Sequence, residues 1–299
     1  MRLSIIIVNW NTGDLLRKCL NSLPTAGLKV FPEGATCIPI QYEVFVVDNA
    51  STDDSMERGR QSFQPFREIL LSGNMGFARA NNIALRQATG EVLLLLNPDT
   101  EPNPGSLRTL VEFFTAHPRA GIVGGKLLNP DGSLQPSVRR FPTVGTLALL
   151  LTRLARMFPQ LPALRSYEMA DFSYNREAVV DQVMGACFAI RREVMDTIGL
   201  LDEGYWIWFE EVDYCYRAKL AGWETWFTPS VEVVHDRATS FVQASPLWRA
   251  RQFSRSALRY ARKHHGWWAA VALSALVPVN LGTAFVASLT RTPPGVRRS

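Results

Sequence analysis

Short apolar runs alternate with amphipathic segments along the first hundred residues. The apolar runs are hydrophobic at successive positions, which is typical of strands that are covered on both faces. They span Leu3–Val8, Glu43–Val47, Ile69–Leu71 and Glu91–Leu96. The segments between them predict helices from Thr12, over Asp53–Arg60 and from Gly76 to Gln87. This order predicts an α/β fold with a doubly wound, mostly parallel sheet.

The pattern of the second half is more mixed. It predicts helices over 102–116, 144–165 and Arg192–Ile198, and strands over Gly121–Leu128, Gln182–Arg191 and Val231–Val234. An aromatic and acidic segment, Tyr205–Asp213, leads into a further helix that ends at Gly222.

After His235 the pattern changes again. Four arginines recur about once per helical turn and predict a basic stripe along one helix; they are Arg251, Arg255, Arg259 and Arg262. Such a stripe is expected to attract anionic lipid.

The segment from Gly266 to Thr290 is almost uncharged. Its length is close to the roughly 20 apolar residues that cross a bilayer. Pro278 and Asn280 lie near its centre, which favours attachment at the interface over a span. We therefore expect residues 241–299 to form a basic and apolar C-terminal helical appendage that associates with the membrane.

Composition and charge limit the kinds of partner that the protein is expected to bind. The 299 residues are 47% hydrophobic, which is ample for a buried core, and the net charge is +5. Ten of the basic residues and none of the acidic ones follow Asp236, so the remainder holds 22 basic against 27 acidic residues. A basic tail on an acidic body predicts an anionic surface as partner. The uncharged run after the stripe favours lipid over nucleic acid.

Two features bear on the compartment. The four cysteines, Cys19, Cys37, Cys187 and Cys215, have no spacing suited to zinc and predict reduced thiols. The apolar run at the N-terminus is too short for the core of a signal peptide. We expect a cytoplasmic body, peripheral at the inner membrane face.

Polar side chains follow three of the predicted strands. Asn9, Asp48 and Asp99 lie where strands end, and ligands of open α/β sheets bind beyond those carboxyl ends. A cation held by Asp99 would neutralise charge on a leaving diphosphate, and Mg²⁺ needs only one or two protein ligands. His235, at the end of a later strand, is the candidate for a second ligand of Mg²⁺ or Mn²⁺.

Glu210, Glu211 and Asp213 form a carboxylate cluster among aromatic residues. Like charges and burial both raise the pKa of a carboxyl group, as a general base near neutral pH requires. The alternative is a solvated acidic helix start that the helix dipole favours.

The segment Ser72–Arg79 is a glycine-bearing turn into a helix. Its backbone N–H groups are candidates to face phosphate, and Arg79 could add positive charge. It matches neither GxGxxG nor a Walker pattern, which argues against a dinucleotide dehydrogenase.

The ordered set of motifs resembles glycosyltransferase family 2, which has the Rossmann-like GT-A fold. The matching stretches are Ser4–Asn9, Val46–Asp53, Asn74 with Gly76 and Asn82, Leu95–Asp99, Met184–Cys187, Phe209–Arg217, and His235 with Ser240. They are most similar to bacterial rhamnosyltransferase-like members that act on lipid-linked or polysaccharide intermediates. The resemblance implies one GT-A domain over 1–240, with a nucleotide-binding half about 1–100 and an acceptor half about 101–240.

The resemblance also implies roles for individual residues. Asp48 would contact the nucleobase, and Asn9 would line the nucleoside pocket. Asp99 and His235 would hold the metal, with Asn97 in place of the first Asp of the family's DxD motif. Glu211 stands where the catalytic base, usually Asp, is found, which leaves open whether Glu210 or Glu211 reaches the acceptor.

The expected reaction is a single inverting displacement. A sugar, with rhamnose favoured by the resemblance, would move from a nucleotide-diphosphate donor to a hydroxyl of a lipid-linked or polysaccharide acceptor. The family's processive QxxRW motif is absent, which predicts one sugar per acceptor. A non-catalytic module that binds sugar nucleotides or membrane is the alternative, and the Glu210–Glu211 pair argues against it.

Overall fold

The computed structural model describes residues 1–27, 40–236 and 244–289. The predictions that concern Cys37, Ser240 and the last ten residues lie outside these ranges.

The first half is a parallel sheet with helices between its strands. Leu3 pairs with both Tyr42 and Val92 in parallel register, so the first strand lies in the middle of this half. The strands are β1 (Leu3–Asn9), β2 (Tyr42–Asp48), β3 (Arg67–Leu70) and β4 (Val92–Leu96). The helices are α1 (Leu15–Ala26), α2 (Ser55–Ser62) and α3 (Phe77–Leu85). The predicted doubly wound order is confirmed, with spatial order β3-β2-β1-β4.

The second half extends the same sheet with mixed direction. Its strands are β5 (Thr100–Pro102), β6 (Ala120–Leu128), β7 (Leu134–Gln135), β8 (Val138–Arg139), β9 (Ala178–Val180), β10 (Gln182–Val183), β11 (Cys187–Arg191) and β12 (Glu224–His235). Its helices are α4 (Ser106–Ala116), α5 (Val144–Leu151), α6 (Leu154–Met157), α7 (Pro162–Tyr167), α8 (Arg192–Ile198) and α9 (Glu210–Leu220). Beyond β4 the sheet continues as β11-β6-β12-β5, and β8 and β10 form a separate small ribbon.

The change of strand direction creates the site. β11 runs antiparallel to β4, and Cys187 pairs with Leu96. The chain before β11 therefore lies beside the carboxyl end of β4, and the Asn97 N–H donates to the Ala186 carbonyl at 3.0 Å. On the far side, β12 pairs with β5 and sets His235 opposite Thr100.

Two predicted elements are broken by local backbone geometry. The helix predicted over 144–165 is three short helices, because Arg153 adopts a left-handed φ of 59° and Pro162 starts a new helix. The strand predicted over Gln182–Arg191 is interrupted at Met184–Ala186. Before this point the chain pairs with β8, and after it the chain pairs with β4.

The C-terminal segment is helical, as predicted, and forms α10 (Pro246–His264), α11 (Trp267–Ser274) and α12 (Val277–Leu289). In the described part of the chain, no single helix is both long and apolar enough to cross a membrane. Together α11 and α12 have the length and composition of a span, with a bend of 42° between them.

The predicted basic stripe is only partly available to lipid. Arg259 donates to Asp202 at 2.6 Å, so this member of the stripe faces the protein. Lys263 reaches Asp202 at 3.0 Å and Asp213 at 2.7 Å, and His264 lies 2.8 Å from Asp213. Burying these acidic partners requires counter-charges, and α10 supplies them. Helix α10 is thus docked on the body by ion pairs.

Candidate active site

A cleft of about 490 Å³ opens at the carboxyl ends of β1 and β4. It gathers seven of the predicted site residues: Asn74, Gly76, Asn97, Asp99, Glu210, Glu211 and His235. Its wall also includes Trp10, Asn49, Arg139, Trp206, Trp208 and Arg249.

Asp99 and His235 meet although 136 positions separate them in the sequence. The Nε2 atom of His235 lies 3.4 Å from Oδ1 of Asp99, and both side chains are almost fully buried. Pairing of β5 with β12 brings the two together. The Asp236 N–H also donates to the Asp99 carbonyl at 2.8 Å, which continues this pairing to Asp99.

The imidazole of His235 is oriented by Gln135. Its Nδ1 lies 2.6 Å from Oε1 of Gln135. The Gln135 amide nitrogen donates to Asn129 and to the His235 carbonyl, which fixes the amide oxygen toward the ring. In the neutral imidazole, Nδ1 then carries the hydrogen and Nε2 presents its lone pair to Asp99.

This arrangement fits a divalent cation. Oδ1 of Asp99 is buried and has no hydrogen-bond partner among the described residues. Two electron-pair donors that face each other across 3.4 Å repel unless a cation or a proton lies at them. Within the described ranges no group of three or more His, Cys, Asp or Glu side chains could hold a metal. A cation at Asp99 and His235 would therefore need further oxygens from phosphate and water, as Mg²⁺ commonly does.

The paired glutamates lie at the first turn of α9. Trp208 and Phe209 precede them with left-handed φ angles of 62° and 71°, a conformation that costs energy in residues with a Cβ. Burial, and then the charge of Glu211, raises the pKa of Glu210 well above its ordinary value. Burial also raises the pKa of Glu211, against the opposing effects of a backbone N–H and of Arg139.

Each glutamate has one buried carboxylate oxygen without a hydrogen-bond partner in the described part of the chain. The alternative of a solvated acidic helix start is therefore wrong. These are desolvated carboxyl groups with unused acceptor capacity on a cleft wall, as a proton acceptor requires.

Three N–H groups of the glycine-bearing turn are already paired within the protein. The N–H groups of Met75 and Gly76 donate to the side chains of Asn49 and Asn74, and that of Phe77 donates to the Trp206 carbonyl at 2.8 Å. These three groups are not available to phosphate, and a phosphate contact by the rest of the turn stays a prediction. The turn instead holds the Trp206 loop, although Asn74 and Gly76 do line the cleft.

Asn9 supports the cleft from behind. The Asn9 side chain is fully buried and donates to Asp48, Ser51 and Ser55 at 3.1, 3.0 and 2.8 Å. It also accepts a hydrogen bond from Thr12. With its hydrogen-bonding capacity used, Asn9 does not line the pocket as predicted but ties the loops after β1 and β2 together.

Arg79 does not reach the cleft. Its guanidinium is exposed and lies 3.8 Å from Glu203, on the outer side of α3. The predicted phosphate contact of Arg79 is therefore wrong, because this helix directs the residue toward Glu203 instead of toward the cleft. The cationic side chains of the cleft wall are Arg139 and Arg249.

The sequence patterns did not mark Asn49, Arg139 or Arg249 as site residues. Asn49 follows Asp48 within the stretch Val46–Asp53 that resembles the family, so its position could have identified it as a site residue. Arg139 lies in the two-residue strand β8, which pairs with β10 through contacts distant in sequence. No local pattern identifies such a residue.

Helix α10 supports the loop that carries the glutamates. The Ser256 hydroxyl donates to the Ile207 carbonyl at 2.8 Å. Trp248 contacts Trp206 edge to face, with ring centroids 4.9 Å apart. Phe209 packs against Phe253 of the same helix. The C-terminal segment thus contributes to the geometry of the cleft.

Comparison with known proteins adds the family. The family model described as "Glycosyl transferase family 2" matches residues 4–199. The chain is 29% identical over 283 residues to an N-acetylglucosaminyl-diphospho-decaprenol L-rhamnosyltransferase of Mycobacterium tuberculosis, covering 90% of this chain and 87% of that protein. It is 24% identical over 241 residues to the rhamnosyltransferase WbbL of Escherichia coli, covering 77% and 82%.

The fold has solved counterparts. The mannosyltransferase PcManGT of Pyrobaculum calidifontis, solved in complex with GDP-Man and Mn²⁺, superposes with a TM-score of 0.54 at 18% identity. The match covers 98% of this chain and 76% of that one. The predicted GT-A-like architecture, with its mostly parallel sheet, is confirmed.

Proposed function

The chain belongs to glycosyl transferase family 2 and is a glycosyltransferase, and we propose that it is an inverting, metal-dependent enzyme that transfers rhamnose from a nucleotide-diphosphate donor. The acceptor is a hydroxyl of a lipid-linked or polysaccharide intermediate. One observation carries the proposal: the Asp99–His235 pair and the Glu210–Glu211 pair line the same cleft.

Asp99 and His235 hold the divalent cation, Mg²⁺ or Mn²⁺. When bound, it offsets the negative charge that develops on the departing diphosphate. The unpartnered Oδ1 of Asp99 and the imidazole lone pair opposite it support this role. The Mn²⁺ in the PcManGT complex is consistent with it.

Glu211 is the base, and Glu210 holds its proton more tightly than Glu211 does. Two adjacent buried carboxyl groups cannot both ionise at low cost. Glu211 ionises first because the charge of Arg139 favours its anion. Glu210 has the higher pKa of the two, because it is buried and lies beside the charge of Glu211.

The displacement follows from these roles. Glu211 takes the proton of the acceptor hydroxyl while its oxygen attacks the anomeric carbon. The bond from that carbon to the diphosphate oxygen breaks, and its electron pair leaves with the diphosphate. Attack opposite the leaving group inverts the anomeric centre. Asp48, at the end of β2, contacts the nucleobase, and Asn97 lies beside the sugar diphosphate.

The acceptor and location are proposed from the relatives and the C-terminal surface. The names of two relatives specify rhamnosyl transfer, and one of them names a diphospho-decaprenol carrier. A carrier with a long apolar chain requires an enzyme at the membrane surface. The exposed Trp267 and Trp268 and the remaining basic residues of α10 support peripheral attachment at the inner face.

A donor-turnover assay tests the proposal. Asp99→Ala and Glu211→Gln are each expected to lower transfer at least about 100-fold, because each removes a group that acts in the transition state. Release of nucleoside diphosphate is measured over a panel of sugar nucleotides, with and without Mn²⁺. Thermal unfolding checks that each variant is folded.

Asp171→Ala is the matched control, since this carboxylate is 87% exposed and pairs with Arg165 at the surface. Its rate is expected to equal that of the wild type. Full activity of the Asp99 or Glu211 variant would refute the assigned roles. Donor binding without any turnover would instead support the non-catalytic module.

A further inference from the structure

Three arginines come together at the outer end of the cleft. Arg153 and Arg156 lie one helical turn apart, at the junction of α5 and α6, and Arg249 lies in the first turn of α10. Asn280 of α12 links the two regions. It accepts from Arg153 Nε at 3.2 Å and donates to the Ala250 carbonyl at 3.3 Å. Arg153 is thereby held beside the residue that follows Arg249.

This cluster concentrates positive charge. Burial, and then the charges of Arg156 and Arg249, lowers the pKa of Arg153. In the described part of the chain, neither Arg153 nor Arg156 has an acidic partner within ion-pair distance. The backbone of Arg153 is also in the left-handed region, at φ 59°. Repulsion among the three guanidinium groups and the strained backbone of Arg153 both disfavour this clustering of arginines. An anion bound to the guanidinium groups would offset their repulsion.

The cluster is continuous with the reaction site. Arg249 lines the same cleft as Glu210, Glu211 and Asp99. Trp248, its neighbour, contacts the Trp206 loop that carries the glutamates. An anionic group bound by the arginines would therefore lie on the glutamate side of the cleft, where the acceptor hydroxyl must enter.

An exposed apolar surface adjoins the cluster. Met157 and Phe158 are 70% and 52% exposed, directly after Arg156. On α12, which carries Asn280, Phe285, Val286 and Leu289 are exposed as well. Exposed apolar side chains that directly follow an arginine of the cluster indicate a binding surface for an amphiphile rather than for a small anion.

We propose that Arg153, Arg156 and Arg249 bind the phosphate group of an amphiphilic acceptor, whose apolar chain lies along α6 and α12. This rests on the proposed function, because it assigns the acceptor side of the same site. Arginine suits the role because its planar guanidinium pairs with two phosphate oxygens at once. The acceptor's hydroxyl-bearing end then extends toward Glu211.

Binding of farnesyl diphosphate to the full chain tests the proposal. It is measured by intrinsic tryptophan fluorescence, below the micelle concentration and with EDTA present to suppress cation-dependent diphosphate binding at Asp99. The wild type is expected to bind it. Arg156→Ala and Arg249→Ala are each expected to weaken binding roughly tenfold, as loss of one charge-assisted pair does. Farnesol and inorganic pyrophosphate should each bind far more weakly than farnesyl diphosphate.

Arg119→Ala is the control for loss of a positive charge, since Arg119 is exposed and pairs with Glu224 away from the cleft. It is expected to bind farnesyl diphosphate as the wild type does. Equal binding by the wild type and both cluster variants would overturn the proposal. So would pyrophosphate binding as tight as that of farnesyl diphosphate, which would indicate a site for free phosphate.

The two proposals fail in different ways. Binding in EDTA requires neither the cation nor Glu211, so it can be observed in a chain without turnover. Donor turnover with unchanged binding in the arginine variants would refute the arginine site alone. Arginine-dependent binding without turnover of any donor would refute the proposed function alone.

Discussion

Arg139 shows how one residue can tune the proposed base, Glu211. It lies on the cleft wall, and its charge favours the anion of Glu211 while burial opposes that anion. The outcome is a pKa of Glu211 above the ordinary carboxyl value of 4.5. Transfer needs the unprotonated base, so the rate should rise with pH through this raised pKa.

We predict that Arg139→Gln moves the acid limb of the kcat/KM profile to higher pH, because removing the positive charge destabilises the Glu211 anion further. Arg139→Lys keeps the charge and should leave the limb near its wild-type position. The measurement is kcat/KM as a function of pH, and only the position of the limb is compared. A limb that stays in place in Arg139→Gln would show that Arg139 does not act on the base.

Gly76 shows the effect of one missing side chain. Its φ is 82°, and a Cβ atom there would lie 2.4 Å from the Trp206 carbonyl oxygen. This close approach lets the turn before α3 hold the loop that leads to the glutamates.

We predict that Gly76→Ala lowers the free energy of unfolding by more than about 2 kcal/mol, since it adds a backbone clash to a left-handed conformation. Gly132→Ala is the matched control. Gly132 has a φ of 81° but open space around its Cβ position, and its cost should be about 1 kcal/mol. Denaturant unfolding measures both. Equal costs would mean that the Trp206 loop moves aside freely.

At the scale of elements, the main feature is the docking of α10 on α9. Asp213 of α9 is fully buried and accepts from Arg217 at 2.8 Å, from Lys263 and from His264. Burial acts to raise the pKa of Asp213. The hydrogen bonds of His264 and Lys263 and the charge of Arg217 outweigh it and hold the pKa below its usual value.

We predict that Asp213→Asn lowers the free energy of unfolding by about 3 kcal/mol at neutral pH, because it removes the buried anion that pairs with three cationic side chains. Wild-type Asp213 stabilises the fold above its unfolded-state pKa, and this contribution disappears as pH falls through the lowered folded-state pKa. The difference between the two proteins should therefore shrink in acid.

Asp171→Asn provides the comparison, since it breaks an exposed pair with Arg165 that should contribute less than about 1 kcal/mol. Urea unfolding at several pH values measures both variants. A pH-independent difference for Asp213→Asn would contradict an electrostatic origin.

At the scale of the whole molecule, the C-terminal segment presents two distinct surfaces. One face of α10 completes the cleft, while α11 presents Trp267 and Trp268, both exposed and stacked with ring centroids 3.7 Å apart. An exposed aromatic pair is suited to the interface of a membrane.

We predict that the double variant Trp267→Ser, Trp268→Ser binds vesicles containing phosphatidylglycerol several-fold more weakly, because less apolar surface enters the bilayer. Raising the salt concentration should weaken binding of the wild type as well, since it screens the basic residues of α10. Leu220→Ser is the control, as Leu220 is 74% exposed at the end of α9. Co-sedimentation measures binding, and undiminished binding of the double variant would refute the interfacial role of α11.

The local pattern of the chain determined much of this protein. Continuous apolar runs predicted β1, β2 and β4, because strands covered on both faces leave few polar positions to interrupt them, whereas β3 is an exposed edge strand. The residues after those runs predicted where a ligand binds, since parallel strands end at one edge. Asp99, His235 and the two glutamates were identified as candidates on these grounds and by family resemblance.

Only the tertiary structure decided how the candidates meet and what the others do. Pairing of β5 with β12 brings His235 to Asp99, and the β8–β10 ribbon brings Arg139 to the cleft. Asn9 and Arg79 were misassigned because the partners of a side chain arise through folding. Asn9 bonds to Asp48, Ser51 and Ser55, and Arg79 lies near Glu203. Local periodicity reports which face a residue occupies, whereas contacts between distant segments depend on how whole elements pack.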